Sequence, residues 1–168
     1  MRERAYRARC YPTKAQARQL AQLIGAKRFV WNWALSRRKA AFEAGEKIGF
    51  PQLSKALTEL RRTEGYEWLA ALPREPLTQV LRDLETAYKN FFRGTAKFPR
   101  FKKKQYPGTV RFTLDQRRAL VDREQGRVQV DGVGRLKFKV TEELEGRLRS
   151  VTLRRDSAGR FFVSFTAD

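Results

Sequence analysis

Histidine is absent from this 168-residue chain, and cysteine and methionine occur once each. Without histidine there is no Ser–His or Cys–His nucleophilic pair, and no imidazole base near neutral pH. The lone thiol, Cys10, excludes an intrachain disulfide and any cysteine-based zinc site within the chain, which fits a reducing cytoplasm. In an alternating segment beside Tyr11, Cys10 reads as a small buried hydrophobe. Long apolar runs are missing too. No stretch approaches the roughly 18 residues needed to span a bilayer, and no apolar N-terminal segment marks a signal peptide, so no membrane partner is expected. Acids are scarce: 37 Lys plus Arg stand against 18 Asp plus Glu, a net charge of +19.

The few acids do not assemble into a metal-dependent hydrolytic site. Asp83 and Glu85 are two apart on a predicted helix and face different directions. Glu142, Glu143 and Glu145 read as a solvated helical turn, and Asp122, Glu124, Asp131 and Asp156 fall in or beside turns. The expectation is no catalytic residue, no metal ligand and no cofactor.

What is present is an electrostatic footprint for a polyanion. A pI near 10.9 points to nucleic acid, while 41% hydrophobic residues with three Trp, five Tyr and 12 Phe allow a real core. The densest signal runs from Tyr88 to Lys104. It interleaves five rings with seven cations (Lys89, Arg93, Lys97, Arg100, Lys102, Lys103 and Lys104) and has no carboxylate. Such cations neutralise phosphates, and the rings can stack on unpaired bases. The same segment also permits Phe residues packed inward with cations merely solvated. Phe91 and Phe92 are expected as core at a helix end, and Phe98 and Phe101 as the rings that touch nucleic acid.

Periodicity divides the chain. Ala5–Pro12 alternates with Arg7 and Arg9 on one face. Thr13 to Gln16 is a capping-box signature opening a first helix, and Gly25 predicts a break or a close approach. A second helix over 26–44 carries Phe29, Val30, Trp33, Leu35 and Phe42, with Arg37, Arg38 and Lys39 opposite, and stops at Gly45. A third helix starts at Pro51, a turn lies at Trp68–Leu69, and a fourth helix follows Pro73 or Pro76. After Gly94, strands are predicted near 110–114, 127–130, 136–140, 150–155 and 160–165, with turns at Asp131–Gly134 and Asp156–Gly159. The fold class expected is α+β: a small antiparallel β-barrel of the oligonucleotide-binding type, interrupted by a bundle of about four helices. The barrel would comprise residues 1–12 and 97–168, and the helical insert 13–96. Basic strand faces (Arg7, Arg9, Lys137, Lys139, Arg154) could hold a nucleic-acid backbone.

Tyr11-Pro12-Thr13, Arg28-Phe29-Val30-Trp31-Asn32-Trp33-Ala34-Leu35, Tyr88-Lys89-Asn90-Phe91-Phe92 and Lys97-Phe98-Pro99-Arg100-Phe101-Lys102 together resemble the N-terminal half of TnpB proteins, the OrfB-type products of insertion sequences. Ser150-Val151-Thr152 and Phe161 to Phe165 fit as well. The resemblance implies an RNA-guided DNA endonuclease, with a wedge barrel interrupted by a helical recognition domain. It implies that Arg7, Arg9, Arg28, Arg37, Arg38 and the cations from Lys89 to Lys104 hold a guide RNA from the transposon end. It further implies that Phe50, Ser54, Arg74, Thr78 and Thr113 read a short duplex motif beside the target DNA.

The chain ends at Asp168, where the family's RuvC-like nuclease domain and zinc ribbon would begin. It is therefore expected to be a recognition part without cleavage activity of its own: a truncated form, a degenerate gene product or one part of a split system. A RuvC-like domain is its expected partner if the chain is truncated, and the nucleoid of a prokaryotic cytoplasm its expected location. A stand-alone DNA- or RNA-binding regulator is the first alternative. A complete enzyme with unrecognised carboxylates is the second.

Overall fold

The alternation near the N-terminus forms strand β1 (Arg4–Cys10), with Tyr6 and Cys10 buried. The computed structural model describes residues 3–104 and 108–168. After β1 the chain enters α1 (Lys14–Glu43), α2 (Phe50–Arg61), α3 (Glu67–Ala70) and α4 (Arg74–Phe92). Seven strands are completed by β2 (Gly108–Thr113), β3 (Val121–Asp122), β4 (Arg127–Val130), β5 (Gly134–Lys137), β6 (Leu148–Arg155) and β7 (Phe161–Ala167). Two compact units result, Met1–Ile24 with Gln105–Asp168, and Gly25–Lys104. The segment from Lys97 to Lys104 thus belongs with the helices.

The capping box forms as expected: the Thr13 backbone N–H donates to Gln16 Oε1 (3.0 Å) and the Gln16 N–H to Thr13 Oγ1 (3.2 Å). The break at Gly25 does not. Helix α1 runs through it for 30 residues, and a Cβ built on Gly25 meets nothing within 4 Å, so neither a turn nor a close approach requires the glycine. Burial on α1 also differs from expectation. Trp31 is buried and Trp33 half-exposed, while Phe42 is 80% exposed. The predicted turn at Trp68–Leu69 is the short helix α3, which buries Leu69.

The strand-rich unit holds two antiparallel sheets, one ordered β1-β7-β6-β2 and the other β3-β4-β5. The chain is therefore α+β, but a closed barrel is not seen. Closure would require β2 to pair with β3, and among the described residues it does not. Only two residues of β3 are laddered, both of them with β4, which leaves little edge to receive another strand. The sheets meet instead at β1, where Cys10 bridges Phe138, Tyr11 N–H donates to Lys137 O and Lys139 N–H to Arg9 O. That bridge takes Phe138 out of the predicted 136–140 strand. The 142–145 region is not helical, and Glu145 instead pairs with Arg4 at 2.7 Å.

Alternation along β7 buries Phe161, Val163, Phe165 and Ala167 and turns Phe162, Ser164 and Thr166 outward. The core of this unit also takes Val110, Phe112, Val151, Leu153, Leu136 and Phe138. The helical unit buries Val30, Leu35, Leu53, Leu57, Leu77, Leu81 and Leu84 around its own centre. No polar or charged residue is buried among the described residues. None of the described helices is long and apolar enough to cross a membrane.

Candidate nucleic-acid interface

Helix α4 ends where Gly94 adopts φ 77°, a left-handed conformation that glycine alone enters at no steric cost. Gly94 N–H donates to Phe91 O and Thr95 N–H to Asn90 O (both 3.0 Å), and the chain turns back toward α1. Residues 97–104 then form a strap tied to that helix. Trp31 Nε1 donates to Arg100 O (2.8 Å), Asn32 Nδ2 donates to Lys102 O (3.0 Å), and Lys102 N–H donates to Asn32 Oδ1 (2.7 Å). One asparagine thus reads both backbone groups of Lys102, as a neighbouring strand would.

Rings and cations alternate over this junction. Phe98 packs edge-on to Phe91 (5.2 Å) and Tyr88 (5.4 Å). Lys39 Nζ lies 5.4 Å from the Phe98 ring and 4.6 Å from Phe101. Lys102 Nζ sits 4.0 Å over Trp31. Burial of that ammonium lowers its pKa, against an opposing pull from Asp83, although much of the side chain is exposed. Arg38 lies 3.8 Å over Tyr88 and bonds Glu85 (2.8 Å), and burial raises the Tyr88 hydroxyl. Arg37 stacks near Trp33. Arg28 is half-buried. Lys89, Arg93, Lys97, Arg100, Lys102, Lys103 and Lys104 are all exposed, as are Phe98 (38%) and Phe101 (50%). Phe92, expected as core, is 72% exposed, because the helix end leaves only the Phe91 side facing Phe98. Sequence reasoning missed Trp31, Asn32 and Lys39 as parts of the site. The available signal was a polar Asn between two Trp at positions where helical spacing allowed only one apolar face.

Of the residues expected to read a duplex motif, Phe50 and Ser54 are one turn apart on α2, Arg74 and Thr78 are one turn apart on α4, and Arg74 and Ser54 meet between the two helices. Arg74 donates to Thr58 Oγ1 (2.6 Å), Ser54 O (3.1 Å) and Ser54 Oγ (3.3 Å), so Ser54 and Arg74 come together and bring in Thr58. Nearby Arg61 caps the end of α3 through Ala70 O and Leu72 O, and burial followed by repulsion from Arg74 lowers its pKa. Phe50 is half-buried with Arg82 5.0 Å from its ring, and Thr78 is half-buried on α4. Thr113 is exposed on β2, in the other unit.

In the sheet unit, Arg7, Arg9 and Arg154 do share the outer face of the four-stranded sheet, together with Arg111, which sequence reasoning missed. Lys137 and Lys139 do not, since they follow the second sheet. The acids are engaged singly, Glu85 with Arg38, Asp122 with Arg135 and Asp156 with Arg160. No group of three or more Cys, Asp or Glu is placed to hold a metal ion among the described residues.

The chain is similar in sequence to known proteins. Over 168 aligned residues the chain is 33% identical to "Putative RNA-guided DNA endonuclease InsQ" of Escherichia coli (strain K12), covering 99% of this chain and 41% of that one. It is 34% identical to a "Putative RNA-guided DNA endonuclease" of Streptomyces pristinaespiralis, over 99% of this chain and 42% of the relative. The chain belongs to the TnpB (OrfB) family. It spans about two fifths of the length of these two TnpB-type relatives. A shorter relative, "Virulence protein VsdF" of Salmonella dublin, is 31% identical over 60% of this chain and 93% of its own length. The helix-turn-helix domain profile of OrfB/IS605 proteins matches residues 1–47. In this TnpB-type chain the described residues of that stretch include β1 and an uninterrupted α1, with no turn between two helices among them.

Proposed function

We propose that this chain is the nucleic-acid recognition part of an RNA-guided DNA endonuclease. In this reading it binds a guide RNA mainly through backbone phosphates, contacts a short duplex motif beside the target, and has no cleavage activity of its own. The observation that carries it is the strap: three hydrogen bonds hold its backbone to α1 while its cations stay exposed. A backbone fixed in advance presents those charges without a large ordering cost on binding. Arg28, Arg37, Arg93, Lys97, Arg100, Lys103 and Lys104 are assigned to RNA phosphates, with Lys89, Arg38 and Lys102 supporting, Arg7 and Arg9 contributing from the sheet, and Phe98 and Phe101 contacting bases or ribose. Phe50, Ser54, Thr78 and Thr113 are assigned to the duplex motif. Arg74 is better suited to positioning Ser54 than to reading a base, because its fork is already occupied. Hydrolysis belongs, in this reading, to a RuvC-like domain outside these residues.

The test measures affinity for RNA transcribed from the end of the element, against an unrelated structured RNA of equal length, across a range of salt. Preference for the first is expected. On duplex DNA log K should fall against log salt with a slope of roughly −5 if about six phosphates are contacted. Equal affinity for both RNAs, or a slope near zero, defeats the proposal, and Mg²⁺-dependent cutting abolished by acid-to-Ala changes defeats the claim that the chain does not cleave. A second reading, a stand-alone DNA- or RNA-binding regulator derived from such a protein, draws support from the short relative, 93% of which this chain covers. Equal binding of both RNAs together with a strong duplex preference would favour it.

A further inference from the structure

The outer face of the four-stranded sheet is composed differently from an ordinary solvated sheet. Antiparallel register aligns three rows across it. One row runs Arg9–Phe162–Arg154–Thr109, the next Arg7–Ser164–Thr152–Arg111, and the third Ala5–Thr166–Ser150–Thr113. No row contains a carboxylate, and the single ring, Phe162, is flanked on both sides by arginine. Strands about 4.8 Å apart put Arg9 and Arg154 one spacing from Phe162, and Arg7 and Arg111 about 14 Å apart at the two ends of their row. The Arg9 guanidinium is 5.5 Å from the Phe162 ring and 5.6 Å from Tyr11, which is itself 47% exposed. None of these four arginines is in an ion pair among the described residues.

We propose that this face is a stacking platform for an unpaired base in a single-stranded segment of RNA, with Phe162 beneath the base and the four arginines on the flanking phosphates. The assignment rests on the nucleic-acid reading above and adds a site separate from the strap. A duplex keeps its base faces stacked on one another, so a ring at the centre of a cationic sheet suits only an unpaired base. Ser150, Thr152, Ser164 and Thr166 run along the face beside the ring, and their short hydroxyls match the 2′-hydroxyl that distinguishes RNA. Phe162 is half-exposed, whereas its neighbours Phe161 and Val163 are buried in the core. The core therefore does not require this ring.

The experiment uses the full chain with a short unstructured oligoribonucleotide, the deoxyribonucleotide of the same sequence, and a blunt RNA duplex. Phe162→Leu keeps apolar bulk in the sheet and removes the aromatic face. It should weaken oligoribonucleotide binding roughly 5- to 150-fold, the loss of one stacked base, and leave the duplex nearly unaffected. Arg154→Gln should lower the salt slope on the single strand by about 0.7, whereas Phe162→Leu should not change it. Phe162→Trp should retain affinity and show fluorescence quenched by the oligoribonucleotide, beyond any quenching in the parent chain. Unchanged binding by Phe162→Leu overturns the platform and leaves the strap reading intact. Equal affinity for the deoxyribonucleotide overturns the assignment to RNA. If the parent chain binds none of the three probes, both readings fall.

Discussion

Replacing Asn32 by Ala removes both hydrogen bonds that hold the Lys102 backbone, at 3.0 and 2.7 Å. The groups released lie near solvent and recover water, so each bond is worth about 0.5–1 kcal/mol net, and the pair about 1–2 kcal/mol. Little apolar area is lost, because Asn32 is only partly covered. The strap should therefore loosen while the helical core stays intact. Amide exchange at Lys102 should rise roughly 5- to 30-fold, with exchange at Leu81 or Leu84 in the α4 core unchanged. Binding to the cognate RNA should weaken by a similar factor, since the strap must then be ordered at the moment of contact. Trp31→Phe probes the same junction from its apolar side. It removes the donor to Arg100 O and weakens the contact under the Lys102 ammonium, while preserving most of the buried ring. Burial lowers the Lys102 pKa in the parent chain, and because the indole face favours the charged ammonium while most of the burial is kept, this variant should lower it further. Unchanged Lys102 exchange together with unchanged RNA affinity in Asn32→Ala would refute the idea that a pre-ordered strap is the binding element.

Burial raises the Cys10 thiol from 9.0 to about 11, so the folded chain holds that proton longer than the unfolded one. Stability should be unaffected by this group below pH 9 and fall by roughly 2–3 kcal/mol as pH rises from about 9 to about 11, and Cys10→Ala should flatten that part of a denaturation–pH profile. At pH 8 the folded thiol should resist alkylation until denaturant is added. Gly25→Ala should stabilise the chain by up to about 1 kcal/mol, raising the melting temperature by about 2–4 °C, since nothing obstructs a Cβ there and α1 is continuous; a lower melting temperature would contradict the helix interior seen at that position. Arg74→Lys keeps the charge but loses the fork on Ser54 and Thr58, and should cost about 1–2 kcal/mol in urea denaturation while leaving the salt slope of DNA binding unchanged.

Local chemistry was legible wherever it was self-contained. The Thr13–Gln16 cap, the helix stops at Gly45 and Gly94, the β4–β5 turn and the Asp156 hairpin were all written in short segments. Burial along α1 was not. Trp31 and Trp33 are two apart on one helix, and which is buried depends on where a strap some 70 residues later returns. Gly25 misled because a glycine inside a helix reads as a break in sequence, although its only effect here is a weaker helix propensity. Strand pairing across the sheets was equally hidden. The Cys10–Phe138 bridge joins residues far apart in the sequence, and nothing local in 136–140 announces that Phe138 will leave its ladder. The four arginines of the outer sheet face come from three strands, and only register brings them together.

The excess of positive charge takes on a more definite meaning once the neighbours of each cation are known. A cation can be held in place by a carboxylate or by a ring, and the two differ in what remains for a ligand. A carboxylate cancels the charge it fixes, whereas a π face restricts the cation and leaves its net charge intact. Where stability of the folds is at issue, carboxylates are used: Asp122 with Arg135 links β3 to β5, and Asp156 with Arg160 closes the β6–β7 hairpin turn. Around the strap, rings are used for Lys39 and Lys102, elsewhere on α1 for Arg37, and on the sheet face for Arg9. Arg38 is the exception, shared between Tyr88 and Glu85, and it lies beneath the strap with little exposure. Interleaving aromatic and basic residues thus orders cations without neutralising them, which a site for an extended polyanion requires and a merely solvated surface does not.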